Sequence, residues 1–161
     1  MVRVLFVCMG NICRSPTAQG MFSKLLQERD LQDRVFVDSA GTHAYHVGEP
    51  PDERSVRAAA GRGIDLSQQR GRRVTVEDFR RFDYVLAMDH DNYAALSALC
   101  PAGLEEKLSL FLVYAPHLKL SDVPDPYYGG PTGFERVLDI VEEAARGLLD
   151  DIQSRLDGSG R

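Results

Sequence analysis

The sequence predicts an α/β fold: a single-domain three-layer α/β/α sandwich with a central four-stranded parallel sheet and helices on both faces. Three observations predict it. The chain has 161 residues, enough to close one hydrophobic core without a second domain. Short apolar runs alternate with helical segments in the order β-α-β-α-(α)-β-α-β-α, which calls for parallel strands and right-handed crossovers. The first run, "VRVLFV" at 2–7, is apolar without alternation, as a strand buried on both faces is. The domain is expected over residues 1–157, with 158–161 frayed.

The elements follow in order. After the first strand and a polar loop, Ser15 and Pro16 read as N-cap and first helical residue. Ala18, Met21, Phe22, Leu25 and Leu26 then recur at helical spacing. "RVFVDSAGT" reads as a second strand ending in a turn, and "PPDERSVRAAAGRG" as a proline-started, glycine-stopped helix. Thr75 and Asp78 stand at capping-box spacing before a short helix, and "DYVLAM" makes the third strand. "DHDNYAALSALC" is a helix that Pro101 halts, with Asp89 at its N-cap, and "KLSLFLV" supplies the fourth strand. A long polar loop over 114–131 holds "DVPDPYYGGPTG". Thr132 with Glu135 forms a second capping box, opening a last helix with Phe134, Leu138, Val141, Ala145 and Leu148 on its apolar stripe.

Composition narrows the function. A net charge of −5 disfavours nucleic-acid binding, which draws on clustered Lys and Arg. Arg70, Arg72 and Arg73 are the local exception and read as a solvated turn. No apolar run approaches the roughly 20 residues that span a bilayer, and no membrane partner is expected. Three cysteines, an odd number in a chain that folds without staples, suit a reducing cytoplasm. His43, His46, His90 and His117 lack metal-ligand spacing, so neither metal nor cofactor is expected.

"VCMGNICRSPT" at 7–17 carries the chemistry. Ligands of parallel sheets sit beyond the carboxyl ends of the strands, and this segment begins at such an end. A strand, a loop and a helix N-terminus in succession can wrap backbone N–H groups into an anion cradle. Cys8 would lie at its floor, where dipoles and a guanidinium favour the reactive thiolate. Arg14 brings a planar fork of donors that fits two oxygens of one phosphate. The reading is covalent attack by Cys8 on a phosphate monoester, giving a phosphocysteine that water releases. A general acid for the leaving group must come from elsewhere in the chain.

"VLFVCMGNICRSPTAQG", with "SAGT" at 39–42, "FDYVLAMD" at 82–89 and "DPYYGG" at 125–130, closely resembles the low-molecular-weight protein tyrosine phosphatases. The match runs in order over nearly the whole chain, roughly residues 2 to 155. A bare Cys-five-Arg spacing is shared by unrelated phosphatases; "GNICRSP" directly after the first strand, together with the distant "DPYY", is far more specific. The resemblance implies hydrolysis of protein phosphotyrosine and small aryl phosphates, with Cys8 as nucleophile, Arg14 as phosphate clamp, and Asp125 as general acid and then general base. It implies that Ser15 assists the thiolate and that Asn11 holds the loop in a strained shape, which suits the tolerance of Asn for left-handed backbone.

Met9, Ile12, Tyr45, Tyr127 and Tyr128 match positions that wall a deep slot, and Gly10 and Cys13 complete the phosphate-binding segment. The related arginine phosphatases carry threonine where this chain has Ile12, so the apolar side chain points to phosphotyrosine. The implied partners are phosphotyrosine proteins, a tyrosine kinase or a polysaccharide-export protein among them, with phosphate or another oxyanion in the site.

Several residues keep two readings. Cys13 is either core packing or, as the resemblance suggests, a thiol that pairs reversibly with Cys8. Cys100 reads as structural. Tyr127 and Tyr128 either wall the slot or cover the core edge, and both are phosphorylated in some family members. Many members place a histidine where Gln68 stands, bracing the phosphate-loop asparagine, and the Gln68 amide is expected to supply that brace. Two rival functions remain: a thioredoxin-coupled arsenate reductase, disfavoured because residues 65–99 hold no cysteine, and a silent phosphate-binding module, which would need neither nucleophile nor acid.

Overall fold

The strand β1 (Val2–Cys8) lies inside the sheet and pairs with β2 (Val35–Gly41) on one side and β3 (Tyr84–Ala87) on the other. β4 (Leu108–Leu110) extends β3, so the order is β2-β1-β3-β4 and every pairing is parallel. This computed structural model describes residues 1–127 and 130–159. Register puts Cys8 opposite Gly41 at the carboxyl ends of β1 and β2.

The unalternating apolar run has its explanation in two cores. Val4 and Phe6 point into the larger, where they meet Ala18, Met21, Phe22, Leu25 and Leu26 of α1 (Arg14–Glu28) and Leu138, Val141 and Leu148 of α5 (Pro131–Ser159). Leu5 and Val7 point to the opposite face, against Phe79 and Phe82 of the α3 region (Val76–Arg81) and Leu96 of α4 (His90–Leu99). The fifth helix, α2 (Glu53–Ala60), joins the larger core through Ala59. Phe6 anchors that side by edge contacts to Phe22 and Phe111, with centroids 5.8 and 5.0 Å apart, each adding about 1 kcal/mol beyond area burial.

Helix starts differ from expectation where another demand intervenes. α1 begins at Arg14, with Cys13 rather than Ser15 at the N-cap; the Ser15 hydroxyl is spent on Cys8 and Asn11. α5 begins at Pro131, a residue type suited to a first helical position, so Thr132 lies inside the helix rather than at its N-cap. Glu135 binds Arg62 at 3.1 Å. Elsewhere the capping signals hold. The Asp78 carboxylate accepts from Thr75 N–H and Asp89 from Asn92 N–H, whereas α2 is not started by a proline: it begins at Glu53, with Asp52 at its N-cap accepting from Arg54 N–H. β4 is only three residues long, because the chain turns into a 3-10 helix at Phe111–Tyr114. α5 continues through Ser159, into the stretch expected to fray.

Gly147 lets α5 seat on that 3-10 turn. A Cβ there would overlap the Tyr114 carbonyl oxygen, so helix or turn would have to move. Gly147→Ala is expected to lower stability by about 3 kcal/mol despite alanine's better helix propensity, measured by urea unfolding; an unchanged midpoint would contradict the packing.

Candidate active site

β1 ends at Cys8 and α1 starts at Arg14, leaving five residues to reverse the chain. Asn11 makes the turn in the left-handed region, at φ 57°, a conformation that asparagine tolerates better than most residues. The turn crosses close over β2: a Cβ on Gly41 would meet the Met9 carbonyl oxygen at 2.8 Å, so only glycine fits there. Carbonyls of Cys8, Met9 and Ile12 accept from Thr42, His43 and Asp52 N–H at 2.9, 3.0 and 2.8 Å. In a trans peptide the C=O and the following N–H point oppositely. Outward carbonyls therefore turn the N–H groups of Met9, Gly10 and Cys13 into the turn, next to the α1 N-terminus, and the result is an anion cradle.

Asn11 locks the cradle from behind. Its Nδ2 donates to Ser15 Oγ and Ser39 Oγ, both at 2.9 Å, and its Oδ1 accepts from the Arg72 backbone N–H at 3.0 Å. With a lone pair occupied by Asn11, the Ser15 hydroxyl has two acceptors within reach, Cys8 Sγ at 3.0 Å and the Ala40 carbonyl at 3.4 Å. Cys8 is buried, 3% exposed, at the bottom of a cleft of about 200 Å³.

Arg14 lies beside it, almost fully buried. Nη1 donates to Asp89 Oδ2 at 2.6 Å and to the Val123 carbonyl at 3.0 Å, while Nη2 is 3.7 Å from Asp125 Oδ2. Burial alone would lower the Arg14 pKa; Cys8, Asp89 and Asp125 more than offset this and raise it, so the cation persists at any working pH. Asp125 is on the far side of the cleft, partly exposed, and its Oδ1 accepts from Tyr127 N–H at 3.0 Å. Met9, Gly10, Ile12, Cys13, Tyr45, His46 and Tyr127 complete the lining.

The sequence profile described as low molecular weight phosphotyrosine protein phosphatase matches residues 3–157. The chain belongs to the low molecular weight phosphotyrosine protein phosphatases. It is 39% identical over 153 residues to the human enzyme of that name, covering 91% of this chain and 93% of that one. Against YfkJ of Bacillus subtilis, named a low molecular weight protein-tyrosine-phosphatase, identity is 37%, with 95% of this chain and 97% of the relative covered. A solved protein tyrosine phosphatase of Entamoeba histolytica superposes with a TM-score of 0.93 at 40% identity, covering 96% of this chain and 98% of that one. The protein is thus a protein-tyrosine phosphatase by family.

Several details of this phosphatase were not legible beforehand. Among the described residues Gln68 does not brace Asn11: its amide donates to Ser67 Oγ, at 3.4 Å and exposed. The Arg72 backbone N–H takes that place, and the Arg72 side chain is no solvated turn residue. It is half-buried, tied to Asp38 by Nε at 3.0 Å and to Asp78 by Nη1 and Nη2 at 3.0 and 3.1 Å. Asp89 caps α4 with one oxygen and holds Arg14 with the other; sequence signals only the cap. His46 reaches the cleft through its place over Gly10, and its Nδ1 pairs with Glu49 Oε2 at 2.5 Å.

Tyr45 is mostly exposed and stacks on His43, with centroids 5.3 Å apart, so it forms the rim of the cleft rather than its depth. Tyr128 lies outside the described residues. Burial pushes the Cys13 thiol up to about 12, partly offset by its hydrogen bond with Ser55, which keeps it protonated at neutral pH. Cys8, Cys13 and Cys100 are all free thiols.

Proposed function

We propose that this phosphatase hydrolyses phosphotyrosine through a phosphocysteine intermediate, with Cys8 as nucleophile, Arg14 as clamp and Asp125 as proton carrier. The observation that carries the reading is the convergence of three groups on one cleft: a buried Cys8 Sγ 3.0 Å from Ser15 Oγ, and an Arg14 guanidinium 3.7 Å from the Asp125 carboxylate opposite. In the first step the Cys8 thiolate attacks phosphorus; the S–P bond forms as the bond to the phenolic oxygen breaks, and Asp125 gives that oxygen its proton. In the second, water attacks the same phosphorus and loses a proton to the Asp125 carboxylate, and the thiolate leaves with a hydrogen bond from Ser15.

Arg14 and the inward N–H groups hold the equatorial oxygens through both transition states. Asp89 and the Val123 carbonyl occupy Nη1, which orients the fork. Depth and apolar walls favour phosphotyrosine, because a phosphoserine side chain is too short to bring its phosphorus to a thiol on the cleft floor. Gly10 and Cys13 serve the cradle, and Met9, Ile12, Tyr45 and Tyr127 contact the ring or its flanking peptide. A reducing cytoplasm would keep Cys8 free for attack, and phosphotyrosine proteins, a tyrosine kinase among them, are the proposed partners.

The test is turnover of p-nitrophenyl phosphate, phosphotyrosine peptide and phosphoserine peptide without added metal, with phosphorus NMR of the quenched enzyme to find the thiophosphate. Asp125→Asn is expected to lower kcat by about two to four orders of magnitude on esters with poor leaving groups, and less on good ones. An equal loss on both, or none, would remove Asp125 from its role.

A further inference from the structure

The segment that carries Asp125 has no regular secondary structure over 123–126, yet its carboxylate has to meet the leaving oxygen of a bound ester. Attraction to Arg14 pulls Asp125 Oδ2 inward, and the Tyr127 N–H on Oδ1 sets its direction only as firmly as the Tyr127 peptide is itself held.

That peptide is held by Arg54. The Tyr127 carbonyl accepts from Arg54 Nη2 at 3.0 Å, and the guanidinium lies over the rings of Tyr127 and Phe134, at 5.4 and 4.8 Å from their centroids. Phe134 is buried near the start of α5, a rigid platform. On the other side, Asp52 accepts Arg54 Nε and Nη2 at 3.1 and 3.0 Å. The Asp52 carboxyl is held below its usual range by these Arg54 hydrogen bonds, so the pair is ionised at neutral pH. The Asp52 backbone N–H donates to the Ile12 carbonyl. A continuous path thus runs from the phosphate-binding turn through Asp52 and Arg54 to the peptide two residues beyond Asp125.

We propose that Arg54 is a positioning residue for the general acid, registering the Asp125 segment against the phosphate-binding turn. The inference rests on the assignment of Asp125 above. The guanidinium suits the task because it is planar: its edge meets Asp52 and the Tyr127 carbonyl while its face covers two rings, and an ammonium does only one of these at a time. Without it the segment regains conformational freedom that has to be lost again at each turnover. The cost falls on proton transfer and not on phosphate binding, since Arg54 does not touch the cradle.

The experiment is a double-mutant cycle of Arg54→Met and Asp125→Asn, with Arg54→Lys alongside, assayed on phenyl phosphate and on a dinitrophenyl phosphate. Arg54→Met is expected to lose about 10- to 100-fold in kcat on the phenyl ester and clearly less on the dinitrophenyl ester, with inhibition by inorganic phosphate unchanged. Arg54→Lys should fall in the same direction. In the Asp125→Asn background Arg54→Met should cost less than about twofold, because residues acting through one group are not additive. Full loss in that background, equal loss on both esters, or weakened phosphate inhibition at unchanged kcat would overturn the proposal. If Asp125→Asn alone spares phenyl phosphate turnover, the acid assignment fails first, and that single variant reports it independently of Arg54.

Discussion

Cys8→Ser is expected to abolish turnover, with kcat on p-nitrophenyl phosphate falling by at least about 10⁴-fold. A serine hydroxyl is close in shape and would keep the contact that Cys8 Sγ makes with Ser15 Oγ at 3.0 Å, so the fold and the cradle persist. What is lost is the reactive anion. A thiol is a far better nucleophile than an alcohol, which cannot supply an alkoxide at neutral pH. Phosphate affinity should stay within a few-fold, because Arg14 and the inward N–H groups are untouched. Steady-state kinetics with calorimetric titration of phosphate separates the two effects. Turnover above a tenth of wild type would show that another group performs the attack.

Arg14→Lys is expected to lower kcat by about 10³-fold, equivalent to about 4 kcal/mol of transition-state stabilisation, while KM changes far less. The wild-type side chain satisfies Asp89, the Val123 carbonyl and the Asp125 carboxylate from one rigid plane. A lysine ammonium is a single point, and the partly buried Asp89 carboxylate, at 2.6 Å from Arg14, would capture it and draw it off the phosphate. The split between kcat and KM is the discriminating measurement, since a purely architectural arginine would alter stability and leave the kinetics of the folded fraction intact. A KM effect at unchanged kcat would sink the clamp assignment.

Much of the fold and the site was readable from residue pattern. β1 declared itself by being apolar on both faces, and Leu5 and Val7 do pack opposite Val4 and Phe6. The helical stripes of α1 and α5 are buried where spacing put them, and Asp89 caps α4 as its position suggested. Failures cluster where a polar side chain has two possible clients. Ser15 has the form of a cap and serves Cys8; Thr132 has the form of a cap and yields to Pro131 one position earlier. Local pattern ranks local partners, and it cannot see a thiol or an asparagine that folding brings alongside.

Sequence alone settled the layer order, the direction of the strands and the identity of the loop that begins at Cys8, because hydrophobic period and turn chemistry act over a few residues. Tertiary structure alone decided which groups complete that loop. Asp89 reaches Arg14 across 75 positions and the Val123 carbonyl reaches it across 109, while the Arg72 N–H holds Asn11 across 61. The physical reason is that each of these bonds joins connecting segments far apart in the sequence. The parallel sheet brings them together at the carboxyl ends of its strands, and no separation along the chain encodes that meeting.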